Sequence, residues 1–465
     1  MNTASMLQSA KQQGPDDQDS PDYPETLGAL GLPLAFMVEH FVKVLFVHDQ
    51  ATLQDLAGLL RVPSSLVLEL AMEGRSRKLL QISTSGNSQG DAHFQLSEGG
   101  VLRAEQALNR CQYSGPLPVP LEAYVNQLRK QAAKPGEFFQ STVRKLFQGV
   151  VIEPVVIDTL GAAMNSGRAT LLYGPAGSGK TFVVQCLANI LRGSIYVPHA
   201  IYVAGDIVLI FDPLVHVLAD DKSLFSAVTS GTPMRLEPSQ VKSLFVRRDD
   251  ERWVKCKRPF VVVGGELTLA ALDLQFDPSR RFYQAPPQIK ANGGMLLIDD
   301  LGRQMVSPRE LMNRWIVPLD RHCDYLTLNS GYRFEMPFDL SLIFSTNLSP
   351  SELADEAFLR RFGYKILLGE LSAERYAQLF KDECAAFGVE YLEEAFSWLV
   401  NERHQRFGKP LLACYPRDLL GRVHDQALYE KRNPIADITS LNIAWDTYFV
   451  RDADANSVFD GQRSR

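Results

Sequence analysis

The run Gly174-Pro175-Ala176-Gly177-Ser178-Gly179-Lys180-Thr181 has the residue types and the G-x-x-x-x-G-K-T spacing needed to hold a triphosphate. Gly174, Gly177 and Gly179 let backbone N–H groups turn inward around phosphate oxygens, where side chains would block the approach. A helix opening behind them adds positive potential. Lys180 can reach the β- and γ-phosphates as a point charge, and the Thr181 hydroxyl can ligate magnesium. Phe182 completes the nucleotide-binding run. The second half of such a site is a carboxylate at the end of a neighbouring strand, and Asp299-Asp300 after four apolar residues supply it. Asp299 would hold the magnesium, and Asp300 would orient or deprotonate the attacking water.

Those residues need a particular scaffold. A buried strand is expected from Ala169 to Tyr173 and an amphipathic helix from the loop to near Gly193, with a second buried strand over Met295 to Ile298. Strand and helix alternate from about Gly136 onward, which indicates an α/β sheet. About 120 residues separate Lys180 from Asp299, where a bare crossover needs only about 30. An insertion is therefore expected around 200–290. Within it, VPHAIYVAGDIVLIFD reads as a hairpin, and RRFYQAPPQIKANGG reads as a loop. Arg280, Arg281, Phe282 and Tyr283 would either grip a polymer by charge and stacking or form an interface or a cover over core.

The chain before the loop has its own pattern. Residues 1–22 are rich in Ser, Gln, Asp and Pro and are expected to be a disordered tail. From 23 to 115, three helices (LAFMVEHFVKVLF, then LQDLAGLLR capped by Thr52, then one opened by Pro63) precede two short apolar segments and a last helix, VLRAEQALNR. Three helices and a two-stranded wing make a small winged-helix-like α+β domain, which suggests duplex binding. Its charges resist that: residues 24–112 hold nine Asp/Glu against seven Lys/Arg. Protein contact and DNA contact both stay open. Residues 116–138, with several prolines, read as a semi-rigid linker.

Three further segments give the chain a family resemblance. The strand DLSLIFSTN ends in Asn347, placed to touch the terminal phosphate or its water, and is similar to the sensor-1 strand of AAA+ proteins. SPSELADEAFLRRF delivers Arg360 and Arg361 near a helix end and resembles the arginine-finger region. CYPRDLLGRV opens a helix with Arg417 and is similar to the sensor-2 region; Arg417 can also pin a lid to its neighbour by a salt bridge. Together with the two nucleotide motifs these cover roughly residues 139 to 450. The resemblance implies a P-loop NTPase with a three-layer αβα AAA+ core at 139–368, a helical lid domain at 369–450 and a tail at 451–465. It implies ATP and Mg2+ as the nucleotide and metal, Lys180, Asp300, Asn347, Arg417 and one of Arg360 and Arg361 as catalytic groups, and a homo-oligomer, a hexameric ring acting on a protein client. A DNA-associated regulator using the N-terminal domain is the alternative. One departure matters: the family's usual glutamate is Asp300 here, shorter by about 1.5 Å of reach. A misplacement of about 1 Å can cost on the order of 100-fold in rate, so a slow nucleotide switch is a further reading.

Composition limits the rest. The 465 residues are 45% hydrophobic and 22% charged with a net charge of -6, ordinary globular usage with no global attraction to nucleic acid or anionic lipid. The six cysteines are scattered without a C-x-x-C pair, which argues against a disulfide framework and a zinc site. The N-terminus lacks the apolar core of a signal peptide, no stretch is long enough to insert in a membrane, and a cytoplasmic location is expected. No H-E-x-x-H, G-x-S-x-G or H-R-D pattern occurs, and His199, His216, His322, His404 and His424 stand singly as structural histidines.

Overall fold

A computed structural model describes residues 19–83, 93–132, 138–191, 193–219, 249–353 and 355–449. Residues 1–18 of the expected tail at 1–22, the expected tail at 451–465, residues 84–92 and residues 220–248 of the expected insertion lie outside the described residues. By internal contacts the chain forms two compact units: 1–134 with 191–297 and 304–342, and 135–190 with 298–303 and 343–465. No helix among the described residues is long and apolar enough to cross a membrane.

The first unit begins with helices Leu34–His48, Leu53–Leu60 and Ser64–Ser76. The first is apolar on nearly every side and is accordingly enclosed, with Phe41, Val42, Val44 and Leu45 fully buried against Leu56, Leu60, Leu66 and Leu70. Thr52 starts the second through a capping box with Asp55. Strand Gln50–Thr52 joins Leu80–Ser83 and His93–Leu96 in a three-stranded antiparallel sheet, and helix Glu98–Arg110 closes the module.

This module is fused to an inserted sheet of the same unit. Its five strands run in the order Gln275–Asp277, Phe282–Gln284, Asp206–Leu209, Ala200–Val203, Val119–Pro120. The central pair is the expected hairpin, in antiparallel register Ile201↔Val208. Residues read as a linker supply the edge strand Val119–Pro120, where a proline costs no ladder bond, and the helix Leu121–Lys130. Leu117 N–H donates to Leu60 O at 2.9 Å, and Phe36 packs on Tyr202 with ring centroids 4.5 Å apart. Arg252, buried and paired with Asp250 at 2.7 Å, donates to Leu30 O and Pro118 O.

Within the expected loop RRFYQAPPQIKANGG, Phe282–Gln284 is a strand of this sheet and Pro287–Lys290 a helical turn, and Phe282 and Tyr283 are 6% and 2% exposed. Arg280 O accepts from Gln112 N–H, and Arg281 donates to Asn109 O. These aromatic rings are core, so the gripping role is corrected to the covering one.

In the second unit, strand Thr170–Tyr173 lies between two parallel neighbours, residues 343–346 of strand Ser341–Thr346 and strand Tyr364–Leu367, in register Leu172↔Ser345 and Leu172↔Ile366. Leu171 and Leu172 are fully buried, as a parallel sheet covered on both faces requires. The fold is thus mixed α/β with a parallel sheet. The C-terminal part is helical: Ala373–Phe387, Glu393–Trp398, a π-helical turn Leu399–Gln405, Cys414–Glu430 and Ile438–Tyr448. Its core gathers Tyr376, Phe380, Leu399, Leu419, Leu420, Val423 and Trp445.

Buried at the π-turn, His404 accepts from the Tyr376 hydroxyl on Nε2 (3.0 Å) and donates from Nδ1 to Lys409 O (3.2 Å). Burial lowers its pKa to about 4, against the raising pull of the Lys409 and Pro410 carbonyls. The folded state therefore keeps this ring neutral, and the unfolded state binds the extra proton between pH 6.5 and about 4. Stability is complete above that window and is lost as the pH falls through it. At pH 5 the loss is about 2 kcal/mol relative to pH 7. His40 and His199 in the first unit act in the same direction. Denaturant titrations at the two pH values check it: the share of the acid sensitivity due to His404 should vanish in His404→Gln.

Candidate functional site

The loop after strand Thr170–Tyr173 is shaped by its glycines. Gly174, Gly177 and Gly179 have φ of 146°, 85° and 88°, a region that side chains disfavour. A Cβ on Gly177 would lie 2.3 Å from Cys414 Sγ. Helix Lys180–Ala188 starts at once, so the amides of its first turn point into the loop. Ser178 is buried with its hydroxyl unpartnered among the described residues. Lys180 is buried too, and its ammonium donates to Gly174 O and Pro175 O, each at 2.9 Å. Burial lowers its pKa, with Asp300 and Asp299 pulling it back up.

Asp299 follows strand Met295–Ile298 directly, and the Thr181 hydroxyl donates to its Oδ2 at 2.7 Å, across 118 residues of chain. The other carboxylate oxygen accepts from Asp300 N–H at 3.0 Å. Asp300 has a left-handed backbone, φ 51°, which aspartate and asparagine tolerate better than longer side chains. Leu301 anchors the turn: its N–H donates to Ser345 O and its C=O accepts from the Thr346 hydroxyl, both at 2.7 Å.

These groups open on a cavity of about 1110 Å³ within the second unit. Residues 176–183, Asp299, Asp300, Asn347 and Arg417 all line it. Gly174 and Pro175 stand behind, contributing the carbonyls that hold Lys180. Arg360 and Arg361 are elsewhere. Arg360 is 77% exposed and paired with Glu356 at 3.0 Å, and the Arg361 guanidinium lies 5.9 Å from the Phe358 ring centroid.

The residues fit a magnesium nucleotide. A loop of inward amides, a buried hydroxyl without a partner among the described residues and an ammonium held by two carbonyls suit phosphate oxygens. A hydroxyl and a carboxylate oxygen in contact suit a hard divalent cation that keeps most of its ligands as water or phosphate.

Other lining residues had little or no signal in the sequence. Glu383 comes from helix Ala373–Phe387 and is held above the ordinary carboxylate range by burial, with Arg417 pulling the other way. No short-range pattern announces it. Cys414 N–H donates to Gly177 O at 3.0 Å, and burial raises its thiol pKa. Its position one helical turn before Arg417 was the available clue.

Residues 372–447 match a family model described as a domain of unknown function (DUF8689). No curated protein matches the chain. Among solved structures, NtrX from Brucella abortus is similar over 84% of this chain and 69% of its own, at 14% identity and a TM-score of 0.38. Two mutant forms of RuvB from Thermotoga maritima are similar over 67% and 70% of this chain and 70% and 72% of theirs, at 15% and 14% identity, with TM-scores of 0.33 and 0.34.

Proposed function

We propose that the chain is an AAA+ ATPase that binds ATP with Mg2+ in the cavity of the second unit and hydrolyses it. The observation that carries this reading is the Thr181–Asp299 contact at 2.7 Å beside the phosphate loop. It brings the two metal-holding groups of a triphosphate site together from distant parts of the chain. Thr181 and Asp299 would hold magnesium there, and the ion would supply positive charge against the charge that develops on the phosphate. Lys180 would leave its two carbonyls for the β- and γ-phosphates, and Asn347 would position the water. Asp300 would accept the water's proton as the oxygen attacks the terminal phosphorus and ADP leaves.

The C-terminal helices would act as the lid, with Arg417 reaching the phosphates. Arg360 or Arg361 would serve as the finger in a neighbouring copy, a role supported by the exposure of Arg360, whose surface ion pair is of a weak kind. The working form would then be a ring, a hexamer by resemblance. A protein client is favoured over duplex DNA, because helix Ser64–Ser76 presents Leu68 and Met72, 39% and 64% exposed, beside an exposed Glu69. One second reading is a slow switch, in which Asp300, an acid shorter than the glutamate usual in the family it resembles, limits turnover.

Calorimetric titration of the full chain with ATP, in magnesium and again in excess chelator, tests the proposal. Heat of binding that weakens without the metal, with phosphate released on incubation, is the expected outcome. Folded protein that takes up no Mg-ATP would end it.

A further inference from the structure

The turn that carries the two acids ends in Arg303, which also lines the cavity. Its backbone has little freedom. Leu301 is fully buried and bonded through both backbone groups, and Gly302 is left-handed at φ 106°. A Cβ on Gly302 would lie 2.6 Å from Leu348 Cδ1. Arg303 N–H then closes the turn onto Asp300 O at 2.9 Å. The backbone at 303 is thereby fixed on the same turn as Asp299 and Asp300.

Its side chain is exposed and makes no hydrogen bond or ion pair among the described residues, although Asp300 is only three positions away. Lys180 stands near the carboxylates of Asp299 and Asp300, and with those two a triphosphate brings more negative charge than Lys180, Arg417 and one magnesium ion balance. A guanidinium on this turn supplies charge and a planar set of donors matched to phosphate oxygens.

We propose that Arg303 is a phosphate-contacting residue of the same chain's nucleotide site, directed at the terminal phosphate and so a determinant of ATP over ADP. This rests on the nucleotide reading above. The test is calorimetry of the full chain with Mg-ATP and Mg-ADP for the wild type, Arg303→Ala and Arg303→Lys. Arg303→Ala is expected to weaken ATP about tenfold, the order of one charge-assisted hydrogen bond at an open site, and ADP by less than about twofold. Arg303→Lys, which keeps the charge and loses the fork, should fall between. If the wild type takes up neither nucleotide, the nucleotide reading fails and this assignment with it. If the wild type takes up both and the ATP-to-ADP ratio is unchanged in Arg303→Ala, or if both affinities fall equally, the assignment to Arg303 alone is overturned.

Discussion

Replacing Asp300 by asparagine is expected to leave Mg-ATP affinity within about twofold and to cut phosphate release on the order of 100-fold or more, the loss of one positioned general base. The substitution isolates chemistry from conformation. Asparagine is the other residue that accepts the left-handed backbone seen at position 300, so the turn and the Leu301 anchor should persist and the melting temperature should not move. The amide cannot take a proton from water. Lys180→Ala should behave differently, losing affinity and turnover together, since it removes the buried cation of the loop. Asp300→Glu is the informative third variant: it gains about 1.5 Å of reach but places a longer side chain where the backbone penalises it by about 1 kcal/mol. Phosphate-release rates beside calorimetry separate the three. Unchanged turnover in Asp300→Asn would remove Asp300 from the mechanism.

The largest effect on stability is expected at Gly174. Its φ is 146°, and a Cβ there would stand 2.0 Å from Leu368 O and 2.9 Å from the carbonyl carbon. That carbonyl cannot swing away cheaply, because Leu368 N–H is bonded to Tyr173 O at 2.9 Å where the adjacent parallel strand Tyr364–Leu367 ends. Gly174→Ala must therefore push one backbone away from the other as well as adopt a strained dihedral, at a cost of about 4 kcal/mol or more. Gly167 provides the control: it is also left-handed, at φ 64°, but a Cβ would meet nothing within 4 Å. Gly167→Ala should cost only about 1 kcal/mol. Urea titrations of the two variants of the full chain measure the difference, and equal midpoints would show that the close approach at Gly174 is not there.

The loop, its strand and its helix could be read from the sequence because the residues that signal them are contiguous. Gly174, Gly177 and Gly179 announce their backbone angles by lacking side chains, and Lys180 finds its carbonyls five and six residues back. Asp299 was readable for another reason: in an α/β chain, four apolar residues ending in an acid mark a buried strand whose last residue emerges at the sheet's ligand-binding edge. The inserted sheet was hidden by its pairings. Val119–Pro120 is too short to signal a strand and becomes one only beside Ala200–Val203, about 80 residues later. Phe282 and Tyr283 sit among arginines and prolines, so composition pointed outward while the register with Asp206–Leu209 turned them inward. Glu383 reaches the cavity by helix packing alone, which no spacing in one chain encodes.

The hydrogen bond from Cys414 to Gly177 makes the helix bearing Arg417 and the loop a single mechanical linkage. Reciprocity then sets a condition: if occupancy of the loop shifts the first turn of that helix, a shift of that turn must alter the loop's affinity by the same factor. The tie sits at the first residue of the helix, so a change there should disturb loop and helix together.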